Sequence, residues 1–164
     1  MELTSILRIG AAIVAILMGT AAGLHFSCRL KMREESLREL ISLLREMALL
    51  IRHRALPVRD LFAELSRYEF IRIVDKSGCK DFRNDWGAAA NSLTELEEPE
   101  RSILKSIGQS LGASDIDGQL VMLEVSIQQL EKYANEAHEQ LMKKGKLYRT
   151  MGVLAGLFVA ILII

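Results

Sequence analysis

Apolar positions in this chain form unbroken runs at its two ends and helical stripes between them. Ile9 to Phe26 is eighteen residues interrupted only by Thr20 and His25. At about 1.5 Å per helical residue such a run reaches roughly 27 Å, near the thickness of a bilayer's hydrocarbon core. Gly152 to Ile164 is thirteen residues without a polar side chain. Alone it spans only roughly 20 Å, but extension back to Leu147 places Tyr148 at interface depth and lets Arg149 snorkel. Both runs are expected to be membrane helices, the first as an uncleaved anchor. A cleaved leader, with Thr20-Ala21-Ala22 as the cleavage site, is the rival reading. It is disfavoured by the single positive charge ahead of the run, Arg8, which Glu2 balances, and by Arg29, Lys31 and Arg33 behind it.

Between the runs the period is helical. Leu37, Leu40, Leu44, Met47 and Ile51 alternate spacings of three and four, which predicts a bundle-facing helix over 33–54, continuous with the first anchor. Pro57 suits the first turn of a shorter helix carrying Val58, Leu61, Phe62 and Leu65, and Ser77-Gly78 reads as a turn. Phe82, Trp86, Ala89 and Leu93 mark a third helix. Pro99 opens a fourth, with Ile103, Leu104, Ile107 and Leu111 inside and Gly112 as its stop. Ser114 and Asp117 have capping-box spacing and launch the longest helix, on which Ile116, Leu120, Leu123, Ile127, Leu130, Ala134, Ala137 and Leu141 form one stripe. That helix is expected to reach the end of the chain without a joint. The expectation is therefore an all-α fold: an antiparallel helical bundle over 29–146, flanked by membrane anchors at 1–28 and 147–164. Leu44, Met47, Trp86, Ile107, Leu120, Leu123, Ile127 and Leu130 are the expected bundle core. A stripe of this kind also suits a coiled coil with another chain, but four other amphipathic helices compete for the same core.

The charge distribution sets the orientation. Formal charge is zero overall, but 29–83 holds thirteen Lys and Arg against nine Asp and Glu, and 84–142 holds three against eleven. Lys143, Lys144, Lys146 and Arg149 then precede the second apolar run, as Arg29, Lys31 and Arg33 follow the first. By the positive-inside rule both clusters place the central part in the cytoplasm. The charge balance and the scarcity of aromatic residues argue against nucleic-acid binding. Each apolar run also carries a Gly-x-x-x-Gly, Gly19 with Gly23 and Gly152 with Gly156, the spacing that lets helix backbones approach closely in lipid.

No chemistry-bearing motif emerges. Cys28 and Cys79 are far apart, His25, His53 and His138 are scattered, and no phosphate loop, nucleophile elbow or zinc spacing occurs. Asp115-Ile116-Asp117-Gly118 looks like a calcium-loop fragment but lacks the closing glutamate, and helix-start capping accounts for both aspartates. No catalytic residue, metal, cofactor or small-molecule substrate is expected. Glu95, Glu97, Glu98 and Glu100 form an acidic edge, read either as a solvated helix start or as a partner-docking surface.

The order of these features resembles the stage III sporulation protein AB family. The likeness rests on the N-terminal run, the Leu56-Pro57 stretch, and Leu111-Gly112-Ala113-Ser114-Asp115 with Gln119. The basic segment leading into Gly152-Val153-Leu154-Ala155-Gly156-Leu157 completes it, and the likeness extends over essentially the whole chain. It implies a cytoplasmic domain like one of those in the inner-membrane platforms of type II secretion and type IV pilus machines. Those platforms carry two such domains, this chain one. It further implies a non-catalytic place in a secretion-like channel between mother cell and forespore, in the mother-cell membrane around the forespore. The implied partners are a cytoplasmic ATPase, stage III sporulation protein AA, other stage III sporulation membrane proteins, and the lipid bilayer. The competing expectation is a membrane-anchored oligomeric adaptor unrelated to secretion.

Overall fold

The computed structural model describes the backbone of residues 2–54, 58–76 and 82–163, and the side chains there except those of 2–9, 12, 15, 54, 58, 59, 149, 162 and 163. The described residues form six helices and no strand: α1 (Glu2–Arg54), α2 (Val58–Glu64), α3 (Glu69–Lys76), α4 (Phe82–Ser92), α5 (Glu98–Ser110) and α6 (Ile116–Ile163). The fold is all-α, as the apolar periodicity predicts. Helices α1 and α6, of 53 and 48 residues, each run without a break. Pro57, the Ser77-Gly78 turn and Cys79 lie outside the described residues.

Packing divides the chain into two compact units, one of Met1–Glu34 with Glu136–Ile164 and one of Glu35–Asn135. The terminal unit is an antiparallel helix pair, longer than the two anchors expected at 1–28 and 147–164. The central unit is a bundle. Its α1 stripe is as predicted, with Leu37, Leu40, Leu44, Met47 and Ile51 all buried. Leu61, Leu65, Leu104, Ile107, Leu123 and Leu130 join them.

Helix α3 is not foreseen by the sequence reading. Its eight residues include Ile71, Ile73 and Val74, β-branched side chains that are poor helix formers in isolation. Burial of Phe70, Ile71 and Val74 on one face overrides that propensity. The helix start is held from outside, because the Glu69 backbone N–H donates to Glu39 Oε1 at 3.0 Å.

Trp86 organises the centre of this unit. It is fully buried, and its indole Nε1 donates to the Leu104 carbonyl at 2.7 Å, so the one polar atom of the ring is satisfied. The rings of Phe70, Phe82 and Phe62 surround it at 4.7, 5.5 and 6.2 Å between centroids. Gly108 on α5 is what lets the indole reach Leu104, since a Cβ there would overlap the Trp86 ring.

Capping differs from the expectation at one helix start. Asp115, not Ser114, caps α6: the Gly118 N–H donates to Asp115 Oδ1 at 3.2 Å. The helix begins at Ile116, so Ser114 lies one residue too early, and its carbonyl accepts from Gln119 Nε2 at 2.9 Å. Gly112, at φ 76°, supplies the left-handed residue that ends α5.

The Trp86 contact gives a prediction with a definite sign. In an open helix Gly→Ala gains about 1 kcal/mol of propensity. Overpacking a full core costs about 1–3 kcal/mol. Gly108→Ala should therefore destabilise, lowering the urea midpoint followed by the fluorescence of Trp86, the chain's single tryptophan. A raised midpoint would mean that the indole does not occupy that space.

Candidate helix-pairing and docking surfaces

In the terminal unit the two glycine pairs meet each other. A Cβ on Gly19 would lie 2.6 Å from the Gly152 carbonyl oxygen and 2.9 Å from the Gly156 Cα. One on Gly23 would lie 2.6 Å from the Tyr148 carbonyl oxygen, and one on Gly152 would lie 3.0 Å from the Gly23 Cα. These neighbours are backbone atoms and cannot swing aside, so any side chain here forces the helices apart. Gly10, by contrast, has nothing within 4 Å of its Cβ position.

The glycine contacts set the register of the pair. Ser27 lies level with Gly145, where a Cβ would be 3.5 Å from the serine hydroxyl. Phe26 and Tyr148 stack with centroids 5.8 Å apart. Farther along, His138 Nδ1 and Glu34 Oε1 are 2.9 Å apart. This offset brings Arg29 and Lys31 on α1 to the height of Lys143, Lys144 and Lys146 on α6, all exposed. One helix pair thus carries three tiers: basic, then aromatic, then apolar. In the apolar tier Leu17, Met18, Leu154, Phe158 and Ile161 are exposed, the last at 75%. Among the described residues no helix is long and apolar enough to cross a membrane.

Across the acidic edge in the central unit the carboxylates have different surroundings. Glu100 is fully buried, and its Oε2 accepts from the Glu97 backbone N–H at 2.7 Å, closing the start of α5. It does not belong to a docking surface, a correction to its expected place there. Glu95 accepts from the Ser36 hydroxyl at 3.0 Å. Glu97 and Glu98 are exposed. Hydrogen bonds from Lys105 and Arg101, at 3.0 Å each, hold the Glu98 carboxyl below the usual carboxylate range.

Leu120 and Ile127 are also corrected. They are only half-buried and line a groove of about 390 Å³ with Ala48 and Leu49 of α1, whereas the other six expected core residues are fully buried. The seam between α1 and α6 in this unit opens on both sides of the Arg45–Glu131 ion pair, with a second groove of about 400 Å³ beyond it. Cys28 is a free, exposed thiol. Among the described residues no group of three or more His, Cys, Asp or Glu is placed to hold a metal.

A family model described as stage III sporulation protein AB matches residues 8–164. The chain belongs to the stage III sporulation protein AB family. No curated protein and no solved structure matches it. Membership in the stage III sporulation protein AB family ties the chain to sporulation. Within it, the residues that set the geometry are the paired glycines and the Trp86–Gly108 contact, none of them catalytic in type. The sequence reading singled out the glycines by their spacing. Gly108 carries no comparable signal, because a lone glycine inside an amphipathic helix does not announce which ring it accommodates.

The pairing predicts an asymmetric response to glycine substitution. With Cys28 and Cys79 replaced by Ser, Phe26→Cys and Tyr148→Cys should be joined efficiently by a short bis-maleimide linker. Adding Gly152→Val should reduce that yield several-fold, the equivalent of about 1 kcal/mol of lost close packing. Gly10→Val should leave it unchanged. Equal losses from the two substitutions would refute the glycine register.

Proposed function

We propose that the chain is a non-catalytic, membrane-anchored platform component of the sporulation machinery. Its terminal helix pair buries its apolar end in lipid, and its central bundle docks a cytoplasmic ATPase. The observation that carries the membrane part is the order of tiers on the helix pair. A bilayer interface presents anionic headgroups, then a zone favouring amphipathic rings, then hydrocarbon. The pair presents Arg29 with Lys144 and Lys146, then Phe26 with Tyr148, then the glycine-paired segment with its exposed leucines, Phe158 and Ile161. An apolar surface of this extent is costly in water, at roughly 25 cal/mol for each Å² left exposed.

The ATPase and the neighbouring stage III membrane proteins are assigned by the family resemblance. On the bundle, Glu97 and Glu98 supply exposed carboxylates for such a contact, with Glu95 beside them. The bundle would receive the ATPase, and the anchored pair would transmit its position to the membrane assembly. The rival reading, an oligomeric adaptor outside any secretion-like channel, draws support from the open seam along Leu120 and Ile127.

Two measurements test this function. In flotation after an alkaline carbonate wash, the full-length chain should remain with lipid vesicles, and recovery in the aqueous fraction without detergent would end the membrane reading. In a pull-down of the stage III AA ATPase, Glu97→Lys with Glu98→Lys should weaken capture about tenfold. Undiminished capture would remove the acidic edge from the docking surface.

A further inference from the structure

The groove between α1 and α6 in the central unit is apolar at its base and charged at its rim. Ala48, Leu49, Leu120 and Ile127 form the base, and Arg45, Arg52, Glu124 and Glu131 the rim. Of the apolar side chains that line it, Leu49 stands exposed at 59%, and Leu120 and Ile127 are half-buried. Such a cluster on a bundle is a site for association rather than a solvated face.

The rim identifies the partner. Two arginines and two glutamates sum to zero, so the groove offers no net field to a strongly acidic or basic partner. Arg45 and Glu131 bridge the two helices. One heptad away along each helix, Arg52 and Glu124 occupy the corresponding positions, yet neither forms an ion pair or hydrogen bond among the described residues. An unpaired cation and an unpaired anion on opposite walls of one apolar groove form a self-complementary rim. A two-fold axis running along the groove, in the plane of its mouth, would set Arg52 of each copy against Glu124 of the other, making two equivalent bridges over the shared apolar base.

We propose that this groove is a homodimer interface, occupied by the same groove of a second copy of this chain. The proposal stands independently of the ATPase and membrane assignments. Leu49, Leu120 and Ile127 would pack against the opposing base and supply most of the attraction, while the Arg52–Glu124 bridges would fix orientation and exclude other registers.

The geometry allows a test that an intrachain role cannot imitate. Two differently tagged full-length copies are co-expressed, solubilised in mild detergent and captured through one tag. Wild-type copies should capture each other. Arg52→Glu alone and Glu124→Arg alone should each lower self-capture by about tenfold, because both bridges become repulsions. Mixing the Arg52→Glu copy with the Glu124→Arg copy should restore capture, since both bridges become attractive again, one of them with its signs exchanged. Leu49→Asp, at an exposed residue of the groove base, should abolish capture in every combination. Monomeric wild type, or a mixed pair no better than either variant alone, would overturn the proposal, as would undiminished capture by the Leu49→Asp variant.

Discussion

Backbone-to-backbone contact between two pairs of glycines is the constraint from which the terminal unit's other features follow. Where Gly19 and Gly23 meet Gly152 and Gly156, the helices approach so closely that a single methyl group would strike a carbonyl oxygen or a Cα. Rotation about either helix axis, or a slip along it, would bring Ile13, Leu17 or Leu154 into that space. Only one offset therefore satisfies the pair. That offset sets Phe26 on Tyr148, brings the two basic clusters to one height, and places Glu34 beside His138. Each of these side chains would be an isolated surface group on a lone helix. The register gives them neighbours.

The same steric logic, turned inward, governs the central unit. Trp86 reaches the Leu104 carbonyl only because Gly108 lacks a side chain. Losing that hydrogen bond would leave a buried donor unsatisfied, at a cost of about 1–3 kcal/mol. With three phenylalanine rings around it, the indole makes α4, α5 and the α2–α3 segment dependent on one another. Among the described residues of this unit Trp86 is the largest fully buried side chain, and of the twelve largest it alone carries such a polar tether.

The sequence revealed helix identities well and pairing poorly, for physical reasons. A 3.6-residue period reports which face of a helix is apolar, and this was enough to place α1, α4, α5 and α6. It says nothing about whether a neighbour covers that face. Leu120 and Ile127 belong to the same stripe as Leu123 and Leu130, yet the first two line an open seam and the last two are buried. Helix α3 was missed because eight residues rich in Ile and Val do not separate a short helix from a strand, and only burial decides. Glu100 was legible in principle: Glu97 and Glu100 have capping-box spacing with Pro99 between them. Glutamate at the N-cap is not one of the strongly preferred residues, so the spacing alone does not separate a cap from a solvated acidic start or a docking surface.

A net charge of zero conceals three surfaces of different character. The helix pair has a basic tier with no acidic side chain between Cys28 and Met32. The edge at the start of α5 has carboxylates, though Lys105 and Arg101 offset Glu98 and Glu100 is withdrawn into the cap. The α1–α6 groove is balanced residue for residue. Charge complementarity acts through local fields that fall off over about 10 Å in salt, so each surface selects its partner by its own charges and not by the total. A basic tier attracts anions, a partly neutralised acidic edge attracts cations more weakly, and a balanced groove attracts neither at long range. One small helical protein can present all three because the charges are segregated by helix and by level along each helix.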